Sequence, residues 1–355
     1  MSAILTCTWA PTAMAVPKLT KTSQWASKLL ATNVQGEQLQ EQLLRPVRLA
    51  ERLGIDHLLV AQRWWGTGEE IEGSTYDCVA MTAFYAAHTE RIRLITAIHP
   101  GFFLPAPIAK WGATIDRLTG GRWSINVTSG WHEAEFGMYG AQLLEHDERY
   151  SRSREFIEIL RGAWTLDELT YEGHFYQVHG LRLEPRPITS TLEVWQGGQS
   201  SAAIEMAASH SDWMFLNCGP PEKIGRIIEE VRRRASAADR TVRFALYSIP
   251  LCRDTDAEAN SELAAMVDSL DERMVALRKL KTAGARGMWD SEDDRLAVLD
   301  TNEGYASRLV GSPQTVLERM LQFHELGIEC FHLTLNDALF NAEVLPALQR
   351  IAASL

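Results

Sequence analysis

Cysteine is scarce in this chain, and the few residues present form no framework. Cys7, Cys78, Cys218, Cys252 and Cys330 are scattered over 355 residues, with no Cys-x-x-Cys pair and no cluster of histidines beside them. That pattern argues against a zinc ribbon or a dithiol redox pair and favours buried thiols in a reducing compartment. Long apolar runs are missing too: nothing approaches the roughly 18 consecutive apolar residues that a membrane span requires. Ile4 to Trp9 is too short for a signal helix, lacks a basic lead and is broken by Pro11. A cytoplasmic protein with no membrane partner is expected. There is no surplus of positive charge: 35 Lys and Arg stand against 46 Asp and Glu, a net charge of −11. This disfavours nucleic acid or an anionic membrane as partner. Also absent is a Gly-x-Gly-x-x-Gly after the first apolar run, where Ala10-Pro11-Thr12 stands instead. The usual dinucleotide-binding fingerprint is therefore lacking.

The composition is that of an ordinary globular protein, 46% apolar and 23% charged. Eight short apolar runs read as strands: Ile4–Trp9, His57–Ala61, Ile92–Ile98, Trp123–Val127, Leu192–Trp195, Trp213–Leu216, Val242–Leu251 and Cys330–Leu335. Helical patterns separate them. Leu39, Leu43, Leu44, Val47, Ala50 and Leu53 share one helix face, which Gly54 ends. Pro105–Leu118 starts on prolines and stops at Gly120-Gly121. Asp147–Trp164, Pro220–Arg234, Pro313–Leu326 and Ala342–Ala352 are similarly amphipathic. Eight βα units predict an α/β protein, a (β/α)8 TIM barrel forming a single domain over 1–355. Two insertions exceed the repeat. The first, about 170–187, alternates aromatic and polar residues around Gly173 and Gly180 and reads as a hairpin. The second, about 281–312, is rich in Gly, Asp and Glu and reads as a mobile loop, either an active-site lid or a plain surface excursion.

The densest information lies between Gly120 and Tyr150. An apolar run there ends in Thr128-Ser129-Gly130, small residues that let a ligand approach the backbone at a strand's carboxyl end. Arg149 and Tyr150 open the next helix, with chemistry suited to a phosphate or to a helix face and core. Glu145, Asp147 and Glu148 beside them would repel a phosphate, so they are expected to face solvent or cap the helix. Val194 to Ser201 places Gly197-Gly198 and two serines before a helix start, which is either an anion cradle or a capped barrel turn. His99 follows the third run and is read as a core or site-lining histidine. His132, Glu133 and Glu135 lack metal-ligand spacing, and no metal is expected. Trp64-Trp65, Phe102-Phe103 and Trp131 offer aromatic area that suits a flat ring or equally closes the core.

Together these segments resemble the bacterial luciferase-like flavin monooxygenases, in the branch of alkanesulfonate, dimethylsulfone and pyrimidine monooxygenases. The resemblance runs from about Trp9 to Leu348. It is densest in Ala113–Arg122, Asn126–Trp131, Leu144–Tyr150 and Gln196–Ser200, and two stretches look most like dimethylsulfone monooxygenases: Asn-Val-x-Ser-Gly-Trp-x-x-x-Glu-Phe and Leu-Glu-His-Asp-Glu-Arg-Tyr. It implies a two-component system in which an NAD(P)H:flavin reductase supplies FMNH2, and a flavin (hydro)peroxide formed with O2 oxidises a small organosulfur substrate with C–S cleavage. Homodimers or homotetramers are common in such families. Matched positions imply FMN contacts at Gln62, Arg63, Asn126, Glu135, Arg149, Tyr150 and Ser200, with Ser129 and Gly198 beside them. Asn126, His99, Trp131 and Tyr247 are the candidate catalytic residues.

The departures narrow the substrate. Tyr247 and Ile249 stand where alkanesulfonate monooxygenases carry Arg and His, and Asn302 falls roughly at their loop Arg. An anion in a dry pocket without a cation is costly, although Arg286 or Arg308 offers a replacement. A neutral sulfone such as dimethyl sulfone is therefore expected. The pyrimidine branch pairs a strand-three Thr with the strand-four Asn; Ala97 takes that place here, and adjacent Thr96 points to the opposite face. His332 or Asn336, in the tail, is a further candidate for the pocket. The alternatives are an alkanesulfonate or a heterocyclic or amide substrate with the same flavin chemistry, an F420-dependent oxidoreductase, or a flavin-binding protein without catalysis.

Overall fold

The computed structural model describes residues 3–11, 34–65, 74–273, 275–276, 294–297, 299–300 and 302–355. Apolar runs flanked by helices become strands that are buried on both faces, because a parallel sheet covered by helices leaves neither face to water. β1 (Leu5–Trp9), β2 (His57–Val60), β3 (Arg93–Ile98) and β4 (Trp123–Val127) come first in the chain. A hairpin of β5 (Leu169–Glu172) and β6 (Gln177–Leu181) intervenes before β7 (Val194–Gly197), β8 (Trp213–Leu216) and β9 (Arg243–Ser248). The short β10 (Leu251–Cys252) and β11 (Val310–Gly311) precede β12 (Ile328–Leu333). Eight of these pair in parallel into a closed barrel, in the order β1-β2-β3-β4-β7-β8-β9-β12 and back to β1.

The two-residue period of a strand divides the side chains. Cys7, Leu59, Ile95, Ala97, Trp195, Trp213, Phe215, Ala245 and Cys330 fill the barrel interior, where Trp195 and Trp213 stack with ring centroids 4.1 Å apart. Alternate residues such as Leu58, Leu94, Ile125, Met214, Leu246 and Phe331 point outward into the larger core under the helices. Each fully buried Leu, Ile or Phe there contributes about 1.5–3 kcal/mol relative to exposure.

Helix boundaries follow proline and glycine. α1 (Gly36–Arg52) buries Leu43, Leu44, Val47 and Ala50, and Gly54 follows at φ +71°. α2 (Cys78–His88) leads to α3 (Pro105–Thr119), which starts on Pro105 and ends at left-handed Gly120. α4 (Glu133–Met138) and α5 (His146–Thr165) follow β4, and α6 (Ser201–His210) and α7 (Pro221–Ala237) follow β7 and β8. α8 (Asp256–Asp268) and the short α9 (Asp294–Ala297) precede α10 (Pro313–Leu326), which is capped by the Ser312 hydroxyl and ends at left-handed Gly327. A π turn at Phe340–Val344 enters α11 (Leu345–Ser354).

Four expectations shift. The run Val242–Leu251 is split: Pro250 has no N–H to give, so β9 stops at Ser248 and β10 leaves to pair with β11 outside the barrel. β7 lies two residues later than expected, carrying Gln196-Gly197 into the ladder, and β12 starts and ends two residues earlier. The end of the insertion read as 281–312 is docked: Gly304 accepts the Ile249 N–H at 2.8 Å, and Val310–Gly311 is the strand β11. Residues 281–293, with Arg286, lie outside the described residues. The hairpin is as expected, and the Glu155 carboxylate of α5 fastens its turn through the N–H groups of His174, Phe175 and Tyr176.

Candidate functional site

The carboxyl ends of the barrel strands bring together groups from all eight strands. At the end of β4, Asn126 is buried, its Nδ2 donates to Thr128 Oγ1 at 3.4 Å, and its Oδ1 has no partner. Ala97 of β3 sits beside it in register. Thr96 faces outward, its hydroxyl 2.7 Å from that of Thr82 and accepting the Trp123 indole N–H at 3.0 Å. No hydroxyl therefore adjoins Asn126 from that strand position. Two residues beyond β4, the Ser129 hydroxyl is 2.9 Å from the Ser153 hydroxyl, which donates to the Arg149 carbonyl. That chain fixes the first turn of α5 against the end of β4.

The first turn of α5 meets the first turn of α6. The Tyr150 phenol faces the Ser200 hydroxyl there. Burial raises the Tyr150 phenol above its ordinary range, so it remains a neutral donor. Ser200 caps α6, its Oγ accepting the Ala203 N–H at 3.3 Å. Gly198 has φ +127°, and a Cβ there would lie 2.8 Å from the Tyr150 oxygen. The close approach thus requires glycine on two counts. Arg149 is buried on the same turn. A helix N-terminus, two hydroxyls and a guanidinium make a donor set for a phosphate.

Past β2 and β3, the Gln62 side-chain oxygen accepts the His99 main-chain N–H at 2.7 Å, leaving Gln62 Nε2 and His99 Nδ1 without partners. Burial, then the Arg63 and Arg152 charges, pushes His99 down to about 3. It is a neutral imidazole, and its 4.0 Å approach to Glu135 is neither an ion pair nor a hydrogen bond. Glu135 is spent partly on structure: its Oε1 accepts the Trp64 N–H at 2.7 Å and ties α4 to the β2 loop. Arg63 joins the same loop to Thr75 through its own backbone. His132 caps α4 and stacks on Trp65 at 3.7 Å, with Trp131 edge-on to Trp65. Trp64, Phe102, Phe136 and Tyr139 form a second aromatic group beside it.

Across the barrel, Tyr247 of β9 and His332 of β12 pack ring to ring at 5.2 Å, with Trp9 4.4 Å from His332. Burial alone lowers His332 to about 3, and its Nε2 has no partner. Of the two tail candidates, His332 thus lies in the interior wall, whereas Asn336 is exposed. Ile249 packs on Gly304, and Arg308 is exposed. One group escaped sequence reasoning: Asn217, whose buried Nδ2 has no partner and whose carbonyl accepts from Gln199. Its position directly after the apolar run Trp213–Leu216 was the available signal, the same one that selects His99.

These orphan polar atoms (Asn126 Oδ1, Gln62 Nε2, His99 Nδ1, Asn217 Nδ2 and His332 Nε2) cluster at one barrel mouth next to the phosphate-type cradle. A polar-edged ring system bearing a phosphate tail fits them, and reduced FMN has that shape.

Comparison with known proteins agrees. The family model for luciferase-like monooxygenases matches residues 26–330. The chain is 35% identical to the FMNH2-dependent dimethylsulfone monooxygenase of Pseudomonas fluorescens Pf0-1 over 319 residues, 86% of each chain. The corresponding enzyme of Pseudomonas putida is 34% identical over 318 residues, again 86% of each. Among solved structures, the EDTA monooxygenase of Chelativorans sp. BNC1 shares the fold, with a TM-score of 0.76 at 22% identity over 98% of this chain and 94% of that one.

Proposed function

The chain belongs to the luciferase-like monooxygenase family, and from that premise we propose that it is an FMNH2-dependent monooxygenase of a two-component system. Its substrate is a small neutral organosulfur compound of the dimethyl sulfone class, cleaved at a C–S bond, and the FMNH2 comes from a separate NAD(P)H:flavin reductase. One observation carries the substrate class: the described side chains of the interior wall opposite Asn126 offer no cation, and the one charged group beside them is the Asp300 carboxylate, which accepts the Tyr247 hydroxyl at 3.4 Å. Tyr247 and neutral His332 line it, the half-buried Ile249 packs on Gly304, and Ala97 adjoins Asn126. A neutral sulfone loses little on entering such a wall, whereas an unpaired sulfonate would lose several kcal/mol of hydration.

Arg149, Tyr150 and Ser200 hold the phosphate, with Gly198 allowing its approach and Ser129 keeping α5 in place. Asn126 and Gln62 address the polar edge of the ring, and Arg63 and Glu135 organise the loop above it. When bound, reduced FMN supplies the two electrons that activate O2. The protein's share is positioning and exclusion of water: Trp65 and Trp131 close one side, and Trp9, Tyr247 and Phe215 close the other. His99 and His332, both uncharged, provide hydrogen bonds to reacting oxygens without attracting a counter-ion. The enzyme is proposed to work as one barrel domain in a homodimer or homotetramer in the cytoplasm. No helix among the described residues is long and apolar enough to cross a membrane.

The test is an assay with FMN, a flavin reductase and NADH against sulfones, alkanesulfonates and pyrimidines, with products identified by mass spectrometry. Sulfone-dependent release of a sulfinate is expected. Turnover confined to sulfonates or pyrimidines would overturn the substrate class, and oxygen uptake with no product from any of them would overturn the catalytic reading.

A further inference from the structure

The barrel has a second mouth, at the amino-terminal ends of its strands. A cavity of about 520 Å³ there is lined by Leu5, His57, Arg93, Glu193, Trp213 and Arg243, among others. We propose that this cavity binds a small organic oxyanion, a carboxylate, sulfinate or sulfonate on a compact apolar body, with Arg93 as its main anchor.

The acids around the cavity are already engaged by the wall. Glu51 Oε1 accepts the N–H groups of Glu90, Arg91 and Ile92 at 3.0, 2.8 and 3.1 Å. Asp56 Oδ2 accepts the N–H and hydroxyl of Thr6 at 2.7 and 2.8 Å. Glu193 accepts the Trp213 indole N–H at 3.0 Å. Arg243 is likewise committed, bonded to Glu329 at 2.9 Å and lying over the Trp213 ring at 3.9 Å. Arg93 differs: among the described residues its guanidinium has no hydrogen bond or ion pair, although it is half-buried at the rim. His57, adjacent to Arg93 in the β2–β3 register, is buried and its Nδ1 has no partner.

Arg91, the third arginine of the lining, donates to the Glu51 carbonyl at 3.1 Å, so the groups that the cavity leaves without a partner are the Arg93 guanidinium and the His57 Nδ1, with Leu5, Ile55 and Ile92 as apolar floor. A guanidinium matches two oxygens of an oxyanion in a fork, a geometry a halide cannot use. The site is separated from the carboxyl-end mouth by the length of a five-residue strand, roughly 15 Å at about 3.3 Å per residue. It does not depend on what the other mouth binds.

The probes are sodium propionate and sodium methanesulfonate, titrated by calorimetry and by saturation-transfer NMR at constant ionic strength set with sodium chloride. Wild-type protein, with and without saturating FMN, is expected to bind one probe molecule per chain with unchanged affinity. Arg93→Gln should weaken binding at least tenfold, and Arg93→Lys, which keeps the charge and loses the fork, should fall between. Because Arg93 holds no partner, both variants should melt at the wild-type temperature; with either one destabilised, the wild-type titration and its insensitivity to FMN remain decisive. The proposal is overturned by a wild type without saturable binding, by equal binding to Arg93→Gln, or by loss of binding when FMN is present.

Discussion

Tyr150 and Ser200 face each other across fifty positions of sequence, and Gly198 leaves the room that the Tyr150 phenol needs. Removing both hydroxyls in Ser200→Ala with Tyr150→Phe should weaken FMNH2 binding by roughly 1–3 kcal/mol, through lost charge-assisted bonds. Anaerobic fluorescence titration measures it, and unchanged affinity would remove both from the phosphate site. Thr96 and Ala97 make the complementary case, since neighbours on one strand face opposite ways. Thr96→Val leaves the Trp123 indole N–H buried without its acceptor, which should cost about 1–3 kcal/mol of stability. It should leave FMN affinity unaltered, because Thr96 points away from the mouth. Chemical denaturation alongside flavin titration distinguishes the two effects.

At the level of elements, the barrel is built from strands whose ends matter more than their middles. The return from the β5–β6 hairpin to β7 is fastened to α3 by Lys110 and Arg117, which donate to the Glu184 and Arg186 carbonyls, and by a buried carboxylate: Asp116 accepts the N–H groups of Ile188 and Thr189 and the Thr189 hydroxyl, at 2.8, 2.9 and 2.6 Å. Asp116→Ala strands those donors, and a loss of about 2–4 kcal/mol is expected from several bonds to a charged acceptor. Because the return segment leads straight into β7, native-state hydrogen exchange should rise first in residues 186–197. A uniform rise throughout the chain would show that this segment opens only with the whole barrel and that Asp116 does not secure it locally. The break at Pro250 is a similar case, where one missing donor diverts β10 from the barrel to β11.

For the whole molecule, pH is the informative variable. His57, His99 and His332 are each buried and pushed down to about 3. Folded, they stay neutral far into acid; unfolded, each takes a proton below about pH 6.5. The unfolded chain thus binds more protons between those limits, so stability is full above pH 6.5 and declines as the pH falls. The decline is about 1.4 kcal/mol per pH unit for each histidine at most. The urea midpoint should drop steadily from pH 6.5 to 5, and His332→Gln should reduce the slope by about one proton. A midpoint that does not move over this range would mean that the imidazoles are charged inside the fold.

Much was decided by the sequence alone, because strands, helices and their ends are local. Two-residue and helical periods, with Pro at starts and Gly at ends, were sufficient for eight βα units and for helices such as Pro313–Leu326. The helix starts proposed to hold the phosphate were legible as well, since Arg149-Tyr150 and Gly198–Ser200 are compact motifs. Only the tertiary structure decided which side chains share a layer of the barrel. Closure pairs β1 with β12, bringing Trp9, Tyr247 and His332 into one wall from three distant segments. It also gathers Arg93, Arg243 and His57 at the opposite mouth. Register sets those layers, and register follows from the joint packing of eight strands and their helices, which no single stretch of chain encodes.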